Sequence, residues 1–401
     1  MNNFLSERIT KMSESATLAM TKKSREMKAQ GIDVINLSIG EPDFFVPDFI
    51  KAAAKKAVDD NFSFYPPVAG YPQLRQAISA KLKRDNNLDY APEQIVVSTG
   101  AKQAICNVFL ACLNEGDEVI VPAPYWVSYT ELIKLAGGVP VFIPTTLETD
   151  FKVTPEQIEK YITPRTKAFI FCSPNNPSGM LYTNEELKGL AKMFDKHKGI
   201  LIVSDEIYEL INFEGKTSSI GTFPEVKDRT VTINGLSKAF AMPGWRLGYS
   251  AAPLEIAKAI EKVQGQITSG ANAIAQIASV TALQVEPDKC EDLQKMKKAF
   301  NERRDYVVER LKKIKGFRPN MPQGAFYVFP DTREIYGKSD GTTVINNDSD
   351  LCLYLLNKAH VALVPGSAFG DPNCIRFSYA TSMENLAKAM DRIEAAVNQL
   401  K

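Results

Sequence analysis

Short apolar runs alternate with helical patterns between residues 95 and 252, and this alternation is the strongest constraint on the fold. Each run spans four to six residues and ends at turn residues or at the start of a helical pattern. Near-continuous apolar strands separated by helices are typical of a parallel sheet that is covered on both faces. We therefore predict an α/β fold with a mostly parallel sheet. The runs are residues 95–98, 118–122, 139–144, 168–172, 200–204, 230–235 and 247–252.

The pattern changes near residue 290, where a long charged helix is followed by short strand patterns and a final amphipathic helix. This α+β pattern predicts a second, smaller domain. We place the large domain at residues 48–290 and the small domain at residues 291–401, with the N-terminal segment 1–47 as part of the small domain. The polar stretch 337–350 is predicted to be a surface loop. The late strand patterns are residues 325–331, 361–366 and 374–380.

The composition excludes several classes of partner. The chain of 401 residues has a formal net charge of +1, which gives no electrostatic basis for binding nucleic acid or a membrane surface. No apolar stretch reaches the length of a membrane span, and the polar N-terminus lacks the apolar core of a signal peptide. The six cysteines form no CxxC pair and the two histidines lie far apart, so no metal site is predicted. These features predict a cytoplasmic protein with free thiols.

The run SKAFAMPGWR, residues 237–246, places a lysine directly after a predicted strand. At the end of a buried strand, the amine of Lys238 is poised to lose its proton and attack a carbonyl carbon. The Ser237 hydroxyl and the Arg246 guanidinium beside it suit a phosphate group. An amine next to a phosphate clamp is what a pyridoxal-phosphate enzyme must supply. A solvated loop lysine is the alternative when this run is taken alone.

Two turns at predicted strand ends have the composition of ligand-binding loops. In STGAKQ, residues 98–103, small residues open a helix, and the helix N-terminus with its free amides attracts a phosphate. In SPNNPSG, residues 173–179, two prolines and a glycine make a rigid turn around paired asparagines. An asparagine amide binds a ring hydroxyl or a carboxylate without adding charge. The alternative for both turns is a simple connector.

Two charged residues lie within or just beyond apolar strands, where they need partners. Asp205 in SDEIY follows the strand 200–204, and a cationic ring nitrogen would pair with it and keep it ionised. The alternative is a helix N-cap, for which aspartate is favoured. Arg376 lies inside the apolar run CIRFSYA, and its planar guanidinium suits a carboxylate. The alternative for Arg376 is an internal salt bridge.

Taken together and in this order, the motifs resemble the class I aminotransferases of the aspartate aminotransferase family, which are fold-type I pyridoxal-phosphate enzymes. The likeness runs from EPDF near the start to CIRFSYAT near the end. It includes GAKQ and PYWVSY, which are typical of the bacterial branch. The resemblance implies the cofactor pyridoxal 5′-phosphate, amino acid and 2-oxo acid substrates, and a homodimer with shared sites. The expected fold is a large α/β domain and a smaller α+β domain.

The resemblance also implies how the cofactor ring is held. Lys238 matches the Schiff-base lysine, which also shuttles the proton between the substrate Cα and the cofactor. Asp205 matches the acid that pairs with the ring nitrogen, and Tyr208 and Asn176 match the residues that bind the ring hydroxyl. Trp126 matches the aromatic side chain that stacks on the ring.

The cofactor phosphate has its own matching residues. Gly100 and Ala101 match the turn whose backbone amides bind the phosphate, and Ser237 and Arg246 complete this group. Tyr65 matches a tyrosine that reaches the phosphate in the neighbouring subunit, which is why the resemblance implies a homodimer.

The substrate-binding residues follow from the same comparison. Arg376 matches the residue that binds the substrate α-carboxylate, with Gly40, Asn176 and Trp126 beside it. No arginine lies between Arg246 and Arg303, where another branch supplies a partner arginine for the distal carboxylate. The bacterial branch uses instead the lysine that follows the phosphate turn, which is Lys102 here.

The implied reaction transfers the amino group of L-aspartate to 2-oxoglutarate and gives oxaloacetate and L-glutamate. Aromatic amino acids or alanine as amino donors, or prephenate as the acceptor, remain alternatives. Relatives that act on prephenate carry a basic residue where this chain has Ser13, although Lys11 is nearby. A carbon–sulfur lyase of the same fold is a further alternative. A non-catalytic regulatory module is disfavoured because this chain has no room for an added DNA-binding segment. A dinucleotide-binding dehydrogenase is disfavoured because no GxGxxG motif opens any of the predicted helices.

Overall fold

The computed structural model describes residues 4–10, 12–13, 16–215 and 217–401. Within them, twelve strands form one large sheet and two small ones. No helix of the described residues is both long and apolar enough to cross a membrane. The strands are β1 (Ile35–Asn36), β2 (Ile95–Ser98), β3 (Glu118–Ala123), β4 (Val139–Pro144), β5 (Thr166–Cys172), β6 (Leu201–Asp205), β7 (Thr230–Gly235), β8 (Gly248–Ala251), β9 (Tyr327–Val328), β10 (Val361–Ala362), β11 (Val364–Pro365) and β12 (Ile375–Ser378).

Helices precede, connect and follow these strands, as the alternating pattern predicted. Several begin at a side-chain cap, for example α8 at Thr183 and α13 at Ser382, whose hydroxyls accept backbone N–H groups of the first turn. The helices are α1 (Glu7–Thr10), α2 (Ala16–Ala29), α3 (Asp48–Asp59), α4 (Pro72–Asn86), α5 (Ala101–Cys112), α6 (Ser128–Leu135), α7 (Pro155–Glu159), α8 (Asn184–Asp195), α9 (Leu254–Ile267), α10 (Ala273–Gln284), α11 (Glu291–Lys313), α12 (Asp348–Tyr354) and α13 (Met383–Val397).

The large sheet has seven strands in the order β2-β8-β7-β6-β5-β3-β4. The strands from β3 to β7 pair in parallel, and β8 runs antiparallel to both β7 and β2. The prediction of a mostly parallel α/β sheet is therefore confirmed. Because β8 is antiparallel to both of its neighbours, β2 runs in the same direction as β3 to β7.

Helices cover both faces of this sheet. Successive residues of β5 alternate between two hydrophobic clusters, with Ala168 and Ile170 in the larger and Phe169 and Phe171 in the smaller. Because successive side chains of a strand point to opposite faces, the two clusters lie on opposite sides of the sheet. This two-sided burial explains why the strands read as continuous apolar runs rather than as alternating ones.

Residues from the first and last parts of the chain pair in the smaller part of the structure. The short strand β1 pairs in parallel with β10, and β9, β12 and β11 form a three-stranded antiparallel sheet. This pairing supports our proposal that segment 1–47 and residues 291–401 form one small domain beside the large domain at 48–290.

Two local expectations differ from the structure. The run VINLSIG, residues 34–40, has the pattern of a short strand, but only Ile35–Asn36 forms one, β1. The carbonyls of Ser38 and Gly40 accept hydrogen bonds from side chains instead of from a neighbouring strand. The predicted surface loop 337–350 is anchored in the core, since Ile345 is fully buried and α12 begins at Asp348. The polar composition of that segment hid its one apolar anchor.

Candidate active site

The carboxyl ends of the parallel strands bring the predicted site residues to one edge of the large sheet. Ligands bind at this edge in open α/β sheets. The register pairs Cys172 with Asp205 and Asp205 with Ile233, so the ends of β5, β6 and β7 lie side by side. Gly100 follows β2, Trp126 follows β3, Asn176 follows β5, Asp205 ends β6, and Lys238 follows β7.

A cavity of about 280 Å³ opens at this edge. Its lining includes nearly all of the predicted residues, although they are spread over more than three hundred positions of the chain. The structure thus brings together Gly40, Ala101, Lys102, Trp126, Asn176, Asp205, Tyr208, Ser237, Lys238, Arg246 and Arg376.

Lys238 extends into the cavity as a half-buried amine. Its Nζ donates a hydrogen bond of 2.6 Å to the carbonyl oxygen of Gly40. Burial lowers the pKa of Lys238 to about 8; the Glu41 carboxylate opposes this shift, and the Arg246 and Arg376 guanidinium groups add to it. A substantial fraction of the amine is therefore neutral near pH 8, as a nucleophile or a base requires.

Asp205 is a buried carboxyl at the end of β6. The Tyr129 hydroxyl donates to its Oδ2 at 2.5 Å, and the backbone N–H of Ile207 donates to Oδ1 at 3.3 Å. Burial raises the pKa of Asp205 to about 6, and the hydrogen bond from Tyr129 opposes this rise. No helix begins after Asp205, where the chain continues as turns, so the N-cap alternative is wrong.

The turn after β2 forms a narrow cradle at the N-terminus of α5. Gly100 has φ of +84°, and a Cβ built there would lie 2.6 Å from Nη2 of Arg246. Arg246 is held by its own hydrogen bond from Nη1 to the Pro243 carbonyl at 2.7 Å. The amides of the first turn of α5 and the guanidinium of Arg246 thus face the same place, which suits an anion.

Arg376 is the largest fully buried side chain of the structure's described residues. Its Nη1 donates to Oδ1 of Asn176 at 3.0 Å and its Nη2 donates to the carbonyl of Ser38 at 2.5 Å. Its Nε has no hydrogen-bond partner among the described residues, and no carboxylate there forms an ion pair with it. A buried guanidinium that binds only neutral oxygens is poised for an anionic ligand, which favours the carboxylate interpretation over the internal salt bridge.

Lys102 lies at the mouth of the cavity, with its Nζ 5.1 Å from the centroid of the Trp126 ring. Burial lowers the pKa of Lys102, and the nearby Arg246 charge adds to this effect. Ser13 lines a neighbouring cavity that Lys102 also lines, and its backbone N–H donates to Oε2 of Glu131 at 3.1 Å. Lys11, the other residue weighed for prephenate, lies outside the described residues.

Tyr65 does not line the cavity of its own chain. Its side chain is 93 % exposed, and the neighbouring Phe64 is 82 % exposed. The expectation that Tyr65 reaches the site of a second subunit stays a prediction.

Two tyrosines of the site were not singled out from the sequence. Tyr129 binds Asp205, and the Tyr327 hydroxyl lies 2.9 Å from the hydroxyl of Tyr208. Both occur in apolar surroundings, and a tyrosine hydroxyl buried there needs a polar partner. That composition was the available signal, but it does not reveal which distant residue is the partner.

These residues fit pyridoxal 5′-phosphate. The buried Asp205 carboxyl has a raised pKa that a cationic ring nitrogen would lower again, and Lys238 offers a partly neutral amine. Because Gly100 has no Cβ, the guanidinium of Arg246 lies close to the N-terminus of α5, where it and the free backbone amides would both bind a phosphate. The donor set therefore matches the aldehyde, the ring nitrogen and the phosphate of this cofactor.

Comparisons with known proteins agree with this geometry. Residues 32–393 match the family model described as aminotransferase class I and II. A probable aspartate/prephenate aminotransferase of Rhizobium leguminosarum is 47 % identical over 394 residues, which cover 98 % of each chain.

Two solved structures are similar over almost the whole chain. The aspartate aminotransferase from Rhizobium meliloti has a TM-score of 0.96 at 40 % identity and covers 100 % of each chain. That of Thermus thermophilus with maleate has a TM-score of 0.92 at 42 % identity, covering 98 % of this chain and 100 % of that one. The chain therefore belongs to the class I and II aminotransferases, a family of pyridoxal-phosphate-dependent enzymes.

Proposed function

We propose that this protein transfers the amino group of L-aspartate to 2-oxoglutarate, with Lys238 as the Schiff-base lysine and proton shuttle. The observation that carries the proposal is the meeting of Lys238, Asp205 and Arg376 around one cavity, with Lys102 at its mouth. These groups supply an amine, an acid for the cofactor ring, and cations for the two carboxylates of the substrate. Similar proteins named aspartate aminotransferases support the same assignment.

Lys238 is the group that moves the proton. When bound, pyridoxal 5′-phosphate withdraws electrons from the substrate Cα and makes its proton acidic. The neutral Nζ of Lys238 takes this proton, and the lowered pKa of the amine near 8 makes the transfer accessible at neutral pH. The free amine of Lys238 donates a hydrogen bond to the carbonyl of Gly40, which holds it in the cavity.

Asp205 and Tyr129 keep the site ready for a cationic ring nitrogen. The ionised Asp205 carboxylate would pair with that nitrogen, and the Tyr129 hydroxyl donates a hydrogen bond to the carboxylate and fixes its orientation. Because the pair is preorganised and buried, it stabilises developing charge without reorganising.

Arg376 and Asn176 hold the α-carboxylate of the substrate, and Lys102 faces the distal carboxylate. Arg376 lines the cavity and has no carboxylate partner among the described residues, so its guanidinium is available to donate hydrogen bonds to a planar anion. Lys102 lines the same cavity as Arg376, so each carboxylate of a dicarboxylate would have a cation of its own. This arrangement favours aspartate and glutamate over apolar donors.

We further propose a cytoplasmic homodimer with shared active sites. The adjacent aromatic side chains of Phe64 and Tyr65 are almost fully exposed in the single chain, and a subunit contact would cover them. The six cysteines are all free thiols, which fits a reducing compartment.

A half-reaction panel tests the proposed specificity. The purified protein with its cofactor is mixed with single amino acids, and the loss of the cofactor absorbance is followed. Fast conversion by aspartate and glutamate and slower conversion by aromatic amino acids is the expected result. A strong preference for alanine or aromatic donors contradicts it, and release of pyruvate and ammonia from cystathionine without an oxo acid indicates the lyase instead.

Prephenate is a second candidate acceptor because a similar protein is named an aspartate/prephenate aminotransferase. The residue aligned with the expected basic group is Ser13, which has no charge. Its backbone N–H donates a hydrogen bond to Glu131. We expect transfer from aspartate to prephenate to be at least tenfold slower than transfer to 2-oxoglutarate, since a missing charged contact costs about 1.5–3 kcal/mol. Equal rates in a direct comparison would assign the second activity.

A further inference from the structure

One tyrosine contacts three functional segments of the site at once. Tyr327 lies in β9 opposite Ser378 of β12, two residues from Arg376, and its side chain is fully buried. The guanidinium carbon of Arg376 is 4.6 Å from the centroid of the Tyr327 ring. The Tyr327 hydroxyl is 2.9 Å from the hydroxyl of Tyr208. A Cβ built at Gly40 would lie 2.7 Å from the same oxygen.

The ring of Tyr327 supports Arg376 from one face. Arg376 has no carboxylate partner among the described residues, so its planar group is held by two neutral oxygens and by the faces of Tyr327 and Phe369. A guanidinium stacked on an aromatic face keeps its edge free for hydrogen bonds. The ring therefore orients the edge that a carboxylate would meet.

The hydroxyl of Tyr327 sets the direction of the Tyr208 proton. Two hydroxyls in contact share one hydrogen bond, and the group that donates in that bond leaves its partner free to donate elsewhere. The Arg376 cation lies against the Tyr327 ring, 4.6 Å from its centroid, and a neighbouring positive charge makes a phenol hydroxyl a better hydrogen-bond donor, which favours Tyr327 as the donor of the pair. Tyr208 then points its own proton toward the cavity.

We propose that Tyr327 is a positioning residue that acts in two separable ways: its hydroxyl orients Tyr208 toward the cofactor ring, and its ring orients Arg376 toward the substrate carboxylate. This inference rests on the proposed function. It joins the cofactor side and the substrate side of the cavity through one side chain.

The hydroxyl is tested with Tyr327→Phe in the holoenzyme, by titrating the absorbance of the bound cofactor against pH. Without the donated hydrogen bond, Tyr208 becomes a weaker donor to the ring oxygen, so the apparent pKa of the absorbance change rises. One hydrogen bond corresponds to about half to one pKa unit. Maleate affinity stays within about twofold of the parent, because the stacked ring is retained.

The double variant Tyr208→Phe/Tyr327→Phe separates this effect from a general disturbance. If Tyr327 acts through Tyr208, its substitution causes no further shift once the Tyr208 hydroxyl is absent. The matched control is Tyr379→Phe, which removes a fully buried hydroxyl at a weak 3.5 Å contact with the Ala325 carbonyl and does not line the cavity. This control should titrate as the parent does.

The ring is tested with Tyr327→Leu, by measuring the dissociation constant of maleate from the holoenzyme. Loss of a desolvated cation–π contact weakens maleate binding by about tenfold or more. The Tyr327→Phe titration remains decisive if Tyr327→Leu fails to fold.

A Tyr327→Phe titration that coincides with the parent, or an equal shift in the Tyr208→Phe background, overturns the role of the hydroxyl. Parent-like maleate affinity in folded Tyr327→Leu overturns the role of the ring. These results concern Tyr327 alone and do not test the proposed function. The proposed function fails if the parent protein shows no cofactor absorbance or no half-reaction with aspartate.

Discussion

At the scale of single residues, burial shifts the two central ionisable groups of the cavity in opposite directions. It lowers the pKa of the Lys238 amine to about 8 and raises the pKa of the Asp205 carboxyl to about 6. Both shifts favour the neutral form, as burial does for any ionisable group. The amine thereby becomes a usable base, while the carboxyl gains from a cationic ligand.

We expect Lys238→Ala to reduce transamination by at least about a thousandfold, because proton transfer by a positioned base contributes 10²–10⁴ and the covalent anchor is lost as well. Steady-state turnover of aspartate and 2-oxoglutarate measures this loss, and cofactor retained after gel filtration reports on folding. Lys192→Ala removes an exposed lysine of α8 as a control. Near-normal turnover by Lys238→Ala would refute the assignment.

Lys102→Ala tests recognition of the distal carboxylate. We expect the KM for aspartate to rise about tenfold or more, since a charge-assisted hydrogen bond contributes about 1.5–3 kcal/mol. The KM for alanine, which has no distal carboxylate, should change little. Comparison of the two donors in the same variant is the internal control, and an equal loss for both would place Lys102 outside specificity.

The predicted site residues share a property that explains why sequence found them. Lys238, Asp205 and Arg376 are charged residues in or next to apolar strands, so each needed a partner that its neighbours did not supply. Tyr129 and Tyr327 were missed because their partners lie 76 and 119 residues away and a phenol is common in a core. Only the packing of the chain shows such pairs.

At the scale of elements, the parallel strands were predicted to within about two residues because burial on both faces makes each one continuously apolar. The length of β1 was overestimated. Residues 37–40 have the pattern of a strand, but the carbonyls of Ser38 and Gly40 accept hydrogen bonds from the side chains of Arg376 and Lys238. Hydropathy patterns do not register a backbone group that binds a distant side chain.

The turn at Gly100, between β2 and α5, is the predicted binding place of the cofactor phosphate. Gly100→Ala introduces a Cβ 2.6 Å from Nη2 of Arg246, whereas Gly116→Ala meets nothing within 4 Å. Both glycines have positive φ, +84° at Gly100 and +83° at Gly116, so both variants carry backbone strain of about 1–3 kcal/mol, and Gly100, with ψ of 160°, is in the region that is essentially restricted to glycine. We expect only Gly100→Ala to weaken binding of pyridoxal 5′-phosphate, by about tenfold or more given the cost of a displaced charged contact.

A fluorescence titration of the cofactor-free proteins measures that difference directly. Thermal unfolding of both variants checks that their folds are equally affected. Equal cofactor affinity in Gly100→Ala and Gly116→Ala would remove the phosphate from this turn.

At the scale of the whole molecule, Asp205 makes the stability of the cofactor-free protein depend on pH. Its pKa is about 6 in the folded protein, against 3.8 for an unperturbed aspartate side chain, so the unfolded state releases the proton first as pH rises. Stability due to this group is therefore present below pH 4 and is lost between pH 4 and 6. The full loss is roughly 3 kcal/mol at 1.36 kcal/mol per pKa unit.

Asp205→Asn removes this titration but keeps an oxygen for the Tyr129 hydroxyl. We expect the free energy of unfolding of this variant, relative to the cofactor-free parent, to increase from pH 4 to pH 7 in urea denaturation. The exposed Asp228, changed to asparagine, provides a control for an aspartate-to-asparagine change outside the cavity. A flat difference for Asp205→Asn would mean that the buried carboxyl does not titrate in this range.

The proposed homodimer can be tested by combining substitutions at Tyr65 and Lys238 in one dimer. If Tyr65 reaches the cofactor phosphate of the partner, Tyr65→Ala homodimers bind the cofactor weakly, and Lys238→Ala homodimers are inactive. A mixed dimer of the two variants then contains one intact site, built from Lys238 of one chain and Tyr65 of the other. If Tyr65 instead serves its own chain, no site in the mixed dimer is intact.

Co-expression with two affinity tags isolates the mixed dimer, and light scattering should give twice the 44.4 kDa mass of the chain. At a cofactor concentration that leaves the Tyr65→Ala homodimer largely empty, we expect the mixed dimer to recover about half of the parent activity. Activity no higher than that of the Tyr65→Ala homodimer would show that the exposed Tyr65 completes no neighbouring site. Half the parent activity would place its 93 % exposed side chain across the subunit interface.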